Sequence, residues 1–183
     1  MKIVRILLAA APLALFAACG STKASSPDAT AAHPAGPTAT ASIEGRSGSS
    51  LTGTATFTQN GDAVHVIVDV TNAPEGVHAV HLHEKGDCSA PDATSAGGHF
   101  NPGHMEHGSP DAASHHAGDF GNMTVGGDGH GHLELDTRML TVTPGERSVA
   151  GRAVVVHAKE DDMKTQPTGN AGGRIGCGVV SPK

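Results

Sequence analysis

Alternation of hydrophobic and polar residues is the clearest pattern in the chain, and it predicts short β-strands. Over residues 51–58 and 62–72, apolar positions alternate with polar or small ones, and the sequence QNGD separates the two runs. This arrangement is typical of a β-hairpin. His65 and Asp69 are predicted to face outward, because four valines of the other parity are predicted to face a core. These are Val64, Val66, Val68 and Val70.

Further strands extend the pattern, and the composition agrees with them. The strands are predicted at about 42–47, 77–84, 120–125, 131–136, 148–157 and 174–180, which gives roughly eight in all. With 25 Gly, 11 Pro and no Trp or Tyr in 183 residues, the composition favours strands joined by turns over long helices. We therefore predict an all-β fold in one main domain, an eight-stranded Greek-key β-barrel or sandwich.

The N-terminal residues predict an exported protein. Two basic residues precede a short apolar stretch at 6–16, which is too brief to span a bilayer and is typical of a signal peptide. The stretch ends in small residues before Cys19 and resembles a bacterial lipobox, although Phe16 stands where that motif prefers Leu. We interpret residues 1–18 as a lipoprotein signal peptide, with Cys19 as the lipidated residue. Ordinary signal-peptidase cleavage nearby is the alternative.

Composition changes after the signal peptide. Residues 19–41 are rich in Ser, Thr, Ala and Pro and lack hydrophobic periodicity, which predicts a disordered tether before a folded domain at 42–183. Removal of residues 1–18 takes away two positive charges and no acids, so the formal charge changes from −6 to −8 (10 basic minus 18 acidic residues). This acidity argues against nucleic acid as a partner. We expect contact with a membrane only through the N-terminal lipid.

Two cysteines remain once Cys19 carries a lipid. In an exported chain, the pair Cys88 and Cys177 predicts a disulfide, and neither cysteine belongs to a CxxC metal motif. The bridge would tie the loop after the strand at 77–84 to the last strand.

The chain holds 13 histidines, an excess that points to metal binding. His81 and His83 share one parity of their strand, so they would present two imidazoles together. His78 has the core parity and is predicted to be a buried structural residue bonded to backbone. His157, at the end of a later strand, could complete a copper-like set with His81 and His83.

A long Gly- and Pro-bearing loop at 97–122 carries five histidines. Loops of this length in a compact domain are usually functional. His116 and Asp119 lie three residues apart and can turn toward one ion. Three histidines with one aspartate make a tetrahedral shell that zinc accepts. Spacing alone does not choose the remaining ligands among His99, His104, His107 and His115.

Six motifs, in order, give the chain a family resemblance. They are GVHAVHLHEKGDC, GGHFNP, EHGSP, HHAGDFGN, VVVHAKEDD and GNAGGRIGCGVV, and they cover residues from about 40 to 180. In this order they resemble the signatures of copper/zinc superoxide dismutases, a family that is itself a known example of the Greek-key sandwich. The resemblance implies a barrel that carries a long metal-binding loop and an electrostatic loop.

The same resemblance implies one copper ion and one zinc ion per subunit, with ligands on matching positions. It implies that copper is bound by His81, His83, His99 and His157. It implies that zinc is bound by His99, His107, His116 and Asp119, so that one histidine bridges the metals. Asp161 matches a carboxylate that links a copper-binding to a zinc-binding histidine, and such partners fix ring orientation. Among the other histidines, His104 and His115 of the loop and His130 and His132 of a later hairpin match no ligand position.

The implied reaction is dismutation of superoxide to dioxygen and hydrogen peroxide, with copper alternating between Cu(II) and Cu(I) and His99 carrying a proton. Arg174 matches the family's active-site arginine and would hold superoxide by charge-assisted hydrogen bonds. Lys159 and Lys164 lie in the segment that resembles the electrostatic loop. Such charges raise association rates for an anion, and this family is itself a known case of the effect.

Two other functions compete with the enzyme. One is a lipoprotein of the same fold that stores, delivers or buffers copper or zinc, which departures at the ligand or arginine positions would favour. The other is a stalked structural β-domain, which would make the six ordered motifs coincidental. For the enzyme we expect the periplasm or cell envelope as its place of action. The sequence leaves open whether the subunits form a homodimer.

Overall fold

The computed structural model describes residues 36–183, so the predicted signal peptide, Cys19 and most of the predicted tether lie outside the described residues. Within that range, no helix has the length and apolar character to cross a membrane. The strands are β1 (Thr38–Gly45), β2 (Thr52–Asn60), β3 (Ala63–Thr71), β4 (Gly76–His83), β5 (Asp119–Val125), β6 (Gly131–Thr137), β7 (Ala153–His157), β8 (Arg174–Val179) and β9 (Ser181–Pro182).

The strands form one antiparallel sheet in the order β2-β3-β6-β5-β4-β7-β8-β1, and pairing of β1 with β2 closes it into an eight-stranded barrel. The short β9 pairs with β1 beyond the end of β8. The connections from β3 to β4 and from β6 to β7 pass over intervening strands, which is the Greek-key pattern. The predicted all-β fold is confirmed.

The β2–β3 hairpin has the predicted position and parity. Asn60 pairs with Ala63 across a two-residue turn, in which Gly61 has φ of +61°, a conformation that glycine adopts without steric cost. His65 and Asp69 lie on the outer face, as predicted. The four core valines have exposed fractions of 1% or less: Val64, Val66, Val68 and Val70.

Strand β1 begins earlier than predicted, at Thr38 rather than at residue 42. Its first core positions are Ala39 and Ala41, which are 0% and 2% exposed. Their side chains are too small to stand out from the Ala- and Thr-rich sequence before them, so the hydrophobic pattern gave no sign of the strand there.

Strand β7 begins later than predicted, at Ala153 rather than at residue 148. Val149 is buried as an apolar residue of a strand would be, but its N–H donates to the carbonyl of Thr141, and Gly151 turns the chain with φ of +72°. The hydrophobic pattern therefore predicted a strand at residue 149 because Val149 is buried, although it lies in a loop.

A second buried layer covers the outer face of β7 and β8. Val155, on the face away from the barrel core, packs with Ala93 and Ala96 of the connection from β4 to β5. Cys177 in β8 forms a disulfide with Cys88 of the same connection, as predicted. The long loop at 84–118 is therefore bound to the barrel wall by apolar contacts and by a covalent bond.

Candidate metal centre

Two neighbouring strands bring three histidines together. His81 and His83 share the outer face of β4, and His157 ends β7, which pairs with β4. Their exposed fractions are 0%, 1% and 3%, because the loop at 84–118 returns over this face. The loop meets β4 where Phe100 donates its N–H to the carbonyl of Leu82 at 2.7 Å.

Four histidines form the first cluster, in which one ring nitrogen of each lies within 4.8 Å of the others: His81, His83, His99 and His157. A backbone bridge between His83 and His99 brings the loop histidine to the strand. The Nε2 atoms of His83 and His157 are 3.4 Å apart. These are the four residues to which the resemblance assigns copper.

The second cluster shares one histidine with the first. One ligand atom of each of its members lies within 4.8 Å of the ligand atoms of the others: His99, His107, His116 and Asp119. Each histidine of this cluster has its Nδ1 atom close to a carboxylate oxygen of Asp119. The distance is 2.8 Å for His99, 3.1 Å for His107 and 3.3 Å for His116. His104 and His115, which spacing left open as ligands, belong to neither cluster. The second set is the one to which the resemblance assigns zinc.

Hydrogen bonds outside the clusters select which nitrogen of each ring is free. His81 and His107 donate from Nε2 to the two carboxylate oxygens of Asp161, at 2.8 and 2.9 Å. His83 donates from Nδ1 to the carbonyl of Gly97 at 2.9 Å. Because a neutral imidazole has one N–H, each ring keeps a lone pair on its other nitrogen, the form that binds a metal.

Three buried ring nitrogens have no hydrogen-bond partner among residues 36–183: His81 Nδ1, His99 Nε2 and His107 Nδ1. The His107 nitrogen lies near Asp119 but without hydrogen-bond geometry. Leaving a buried polar atom unpaired costs about 1–3 kcal/mol. Ions in the two clusters would satisfy all three atoms. The donors also suit the expected metals, since four imidazoles suit copper and three imidazoles with a carboxylate suit zinc.

The protonation states of the ligands favour metal binding. Burial, reinforced by the neighbouring imidazoles, lowers the pKa of His83 to about 2. Burial also lowers the pKa of His157 to about 4 and holds that of His81 well below its usual value. Burial alone would raise the pKa of Asp119, but hydrogen bonds from an imidazole and a backbone N–H lower it to about 2. At neutral pH these imidazoles are therefore neutral and the carboxylate is charged.

Asp161 joins the two clusters through its bonds to His81 and His107, and it is 3% exposed. Gly169 packs directly against it with φ of +65°. A Cβ at Gly169 would fall on Asp161 Oδ1, so this close approach requires glycine. The carboxylate thus fixes one ring of each cluster, in the relation that the resemblance implies.

Two amide side chains hold this arrangement, and reasoning from the sequence missed both. Asn122 exchanges two hydrogen bonds with the backbone of Asp161, at 2.7 and 2.9 Å. Gln166 does the same with the backbone of His107, at 2.8 and 2.9 Å. A single amide in a polar segment looks like any other surface residue, so no pattern in the sequence distinguishes these two.

His78 is a buried structural residue, as its parity predicts. It is 4% exposed and pairs with Met123, a core residue of β5. Its Nδ1 lies 2.8 Å from the carbonyl oxygen of His157, and its Nε2 lies 2.9 Å from that of Pro74. It therefore connects the end of β7 to the start of β4 without joining either cluster.

Arg174 lies at the start of β8, opposite His157. Its Nη1 and Nη2 atoms each donate at 2.7 Å, to the carbonyls of Ala93 and Gly97. The side chain is half-buried, and burial lowers the pKa of its guanidinium below the ordinary value for arginine. These contacts hold a positive charge beside the first cluster.

The two predicted guidance lysines and three of the other histidines lie outside both clusters. Lys159 and Lys164 are exposed on the segment between β7 and β8, and neither forms a salt bridge with the residues described. His104 and His130 are exposed, and His115 donates from Nδ1 to the carbonyl of Ala112 at 2.9 Å.

Comparison with known proteins agrees with the geometry. A family model described as copper/zinc superoxide dismutase matches residues 51–180. The chain is 42% identical over 139 residues to the extracellular Cu-Zn superoxide dismutase of Drosophila melanogaster, and the match spans 72% of this chain and 76% of that protein. It is 43% identical over 140 residues to the Cu-Zn superoxide dismutase of Deinococcus radiodurans, which spans 70% and 76%.

A solved structure gives the same result for the fold. The crystal structure of the clock protein EA4 superposes with a TM-score of 0.71 at 37% identity, and the match covers 79% of this chain and 93% of that one. The Cys88–Cys177 disulfide further indicates an exported protein, since such bonds persist in oxidising compartments. The chain belongs to the copper/zinc superoxide dismutase family and is an enzyme that dismutes superoxide with copper and zinc.

Proposed function

We propose that the enzyme protects the cell envelope from superoxide and that the two clusters are its copper and zinc sites, residue by residue. The first cluster would hold copper through His81 Nδ1 and through the Nε2 atoms of His83, His99 and His157. The second would hold zinc through Asp119 and the Nδ1 atoms of His99, His107 and His116. The observation that carries the proposal is the sharing of His99, whose two ring nitrogens serve the two clusters.

When bound, copper supplies one-electron chemistry between Cu(II) and Cu(I), and zinc supplies a fixed positive charge. Two superoxide anions and two protons give one dioxygen and one hydrogen peroxide. His99 is the chain's proton carrier in this proposal, because its Nε2 is buried beside the first cluster and has no protein partner. Its Nδ1 side is fixed 2.8 Å from Asp119, so the ring holds its position while Nε2 gains or loses a proton.

Arg174 would bind the anionic substrate, since its charge stands beside the first cluster and is fixed by two carbonyls. Lys159 and Lys164 would guide superoxide toward it, because both are exposed cations on the β7–β8 segment. Guidance of this kind weakens as salt screens the charges. Neutralising either lysine should therefore slow the reaction at low ionic strength more than at high ionic strength.

The assignment of the bridging histidine is tested by His99→Ala in the mature protein. We expect loss of bound copper and zinc together with loss of superoxide dismutation, because one ring serves both sites. Metal content by plasma mass spectrometry and superoxide decay after pulse radiolysis should be measured on the same sample. The matched control is His104→Ala, an exposed histidine of the same loop, which should leave both quantities unchanged.

Copper or zinc buffering is the competing function, and the same measurements separate it from catalysis. A wild-type sample with both metals at full occupancy and no acceleration of superoxide decay would contradict the enzyme and favour buffering. Retention of both metals by His99→Ala would instead contradict the bridging role alone.

Attachment to the envelope is proposed to occur through lipid on Cys19, with residues 1–18 removed as a signal peptide. The residues between Cys19 and the start of β1 at Thr38 would serve as a tether, which is shorter than the predicted 19–41 because Ala39 and Ala41 are core residues of β1. The lipobox-like sequence before Cys19 supports this proposal. Labelling with radioactive palmitate and processing that is sensitive to globomycin should both be seen. Cys19→Ser should abolish the label and release the protein from membranes. Continued membrane association of that variant would contradict the lipid anchor.

A further inference from the structure

The turn between β1 and β2 lies against the backbone that carries Arg174. The N–H of Arg46 donates to the carbonyl of Ile175 at 2.9 Å, and the hydroxyl of Ser47 donates to the carbonyl of Arg174 at 2.8 Å. Strand β1 pairs with β8 as far as Gly45, so these two bonds continue the contact between the strands into the turn. The turn therefore holds the first residues of β8 where the regular pairing with β1 ends.

The same two turn residues also bind the loop that follows β4. Arg46 donates from Nε to the carbonyl of Cys88 at 3.0 Å, and Ser47 donates its N–H to the carbonyl of Pro91 at 2.8 Å. The Arg46 side chain is itself fixed, because its Nη1 donates to the carbonyl of Gly45 at 2.8 Å and only 18% of the side chain is exposed. The turn is therefore a bridge between β8 and the loop.

Both ends of Arg174 depend on the elements that this bridge connects. The backbone of Arg174 belongs to β8, whereas its guanidinium donates at 2.7 Å to the carbonyls of Ala93 and Gly97 in the loop. A change in the separation of β8 and the loop would therefore move the guanidinium relative to its own backbone. Because charge-assisted hydrogen bonds to a reacting anion require accurate geometry, such a movement would weaken substrate binding.

Ser47 makes these bonds in a backbone conformation that serine seldom adopts. Its φ is +54°, in the left-handed region that costs free energy for residues other than glycine. A conformation of this kind persists where the surrounding contacts determine it. For Ser47 these contacts are the hydrogen bonds of its N–H and of its hydroxyl. The hydroxyl group is therefore a reason to have serine at a position where glycine would be free of strain.

We propose that Arg46 and Ser47 are positioning residues for the substrate-binding arginine: they hold β8 and the loop at a fixed separation and so keep the guanidinium of Arg174 beside the first metal cluster. This inference rests on the proposed role of Arg174 in binding superoxide. The Cys88–Cys177 disulfide joins the same two elements through side chains, whereas the turn binds their backbone carbonyls directly.

Ser47→Gly tests the contact with Arg174 in the mature enzyme with both metals bound. The change removes the hydroxyl but also relieves the left-handed conformation, so the Tm should stay at or above the wild-type value. The kcat/KM for superoxide should decrease about 2- to 10-fold, the usual effect of losing one hydrogen bond, with both metals still bound. Exchange of the Arg174 guanidinium protons, measured by NMR on copper-free, zinc-loaded protein, should become faster.

Ser50→Gly is the matched control for the loss of a serine side chain. Ser50 is an exposed serine of the same turn, and its side chain forms no hydrogen bond within residues 36–183. Its kcat/KM and its Arg174 proton exchange should be those of the wild type. The inference is overturned if Ser47→Gly and Ser50→Gly have the same kcat/KM.

Arg46 is tested by two variants that separate its hydrogen bond from its charge. In Arg46→Gln, the amide nitrogen takes the place of Nε, so the bond to the carbonyl of Cys88 can form without a charge. Arg46→Met has a side chain of similar length and no donor. Arg46→Gln should retain most of the rate that Arg46→Met loses. Equal rates in the two variants would mean that the guanidinium acts through its charge or has no effect, and either result overturns the positioning role.

Combination with Arg174→Ala separates this inference from the proposed role of Arg174. If the turn acts through Arg174, Ser47→Gly should slow the Arg174→Ala enzyme no further, because changes within one hydrogen-bond network are not additive. An additive decrease would overturn the inference and leave the role of Arg174 intact. A wild-type rate in Arg174→Ala alone would instead overturn the role of Arg174, and with it the inference.

Discussion

Arg174 and His83 donate hydrogen bonds to the same acceptor, the carbonyl of Gly97, at 2.7 and 2.9 Å. One backbone group therefore sets both the position of the proposed substrate-binding cation and the orientation of a proposed copper ligand. This group lies in the loop at 84–118, which the Cys88–Cys177 disulfide ties to the strand that carries Arg174.

Arg174→Ala should slow superoxide turnover while both metals stay bound, because the guanidinium is in contact with the loop and not with the ligand nitrogens. Loss of a charge-assisted hydrogen bond of about 1.5–3 kcal/mol corresponds to roughly a 10- to 100-fold decrease in kcat/KM. Arg174→Lys should recover part of the rate, since an ammonium restores charge without the planar fork. Exposed Arg138 supplies the control variant, Arg138→Ala. Simultaneous loss of activity and metal in Arg174→Ala would mean that the residue is structural.

Asp161→Asn should weaken both metals, because this one carboxylate accepts hydrogen bonds from a ring of each cluster. Removal of such a partner usually lowers metal affinity about 10- to 100-fold. Competition with a chromophoric chelator measures the effect for copper and zinc separately. Asp162→Asn is the neighbouring control, since Asp162 is exposed and bonds only to local groups such as Thr165. Equal affinities in the two variants would contradict the linking role of Asp161.

Replacing Cys88 and Cys177 together with Ser should destabilise the folded chain. The bridge spans 89 residues, and a loop of this length contributes about 4–5 kcal/mol in the chain-entropy model. The double variant should therefore show a lower Tm, and its turnover should decrease because Gly97 is held less firmly against Arg174. Addition of a reductant should lower the Tm of the wild type but not that of the variant. A wild-type Tm in the double variant would show that the apolar packing of the loop is sufficient by itself.

A decrease to mildly acidic pH should lower the free energy of unfolding of the metal-free protein more than that of the metal-loaded protein. The pKa of His157 is lowered from 6.5 to about 4 and that of His83 to about 2, mainly by burial. As pH decreases below 6.5, the unfolded chain binds protons that the folded chain excludes, so the free energy of unfolding decreases. Between its pKa in the unfolded chain and its pKa in the folded chain, each such histidine lowers the free energy of unfolding by about 1.4 kcal/mol per pH unit.

Thermal unfolding of the metal-free protein at pH 7.5 and pH 5.0 tests this expectation. The Tm should be lower at pH 5.0, and His132→Ala should keep that trend, because hydrogen bonds raise the pKa of His132 and its contribution has the opposite sign. A higher Tm at pH 5.0 would contradict the burial of neutral imidazoles.

Features set by strand periodicity could be predicted from the sequence. The outward parity of His81 and His83 and the inward parity of His78 follow from the two-residue repeat of a strand, which depends only on neighbours in the chain. The selection of His99 and His107 over His104 has a different origin. It depends on how the loop folds back on β4, and only the family resemblance anticipated it.

Interactions made by backbone groups and single amides left no sign in the sequence. The carbonyl of Gly97 has the same chemistry as any other carbonyl, and its role appears only when Arg174 and His83 are placed around it. Gln166 holds the backbone of His107 across a separation of 59 residues. The hydrophobic pattern was misleading where residues were small, as in Ala39 and Ala41, or buried in a loop, as in Val149.

The space between the 84–118 loop and the barrel is filled with imidazoles and carboxylates where other domains have leucine and phenylalanine. Three of its nitrogens have no protein partner within residues 36–183, so this second interior is completed by ions that the chain does not encode. Because binding energy at such sites is also folding energy, the final packing of the loop depends on the supply of metal where the protein matures. The fraction of molecules with a firmly closed loop should therefore reflect how much copper and zinc the surrounding compartment provides.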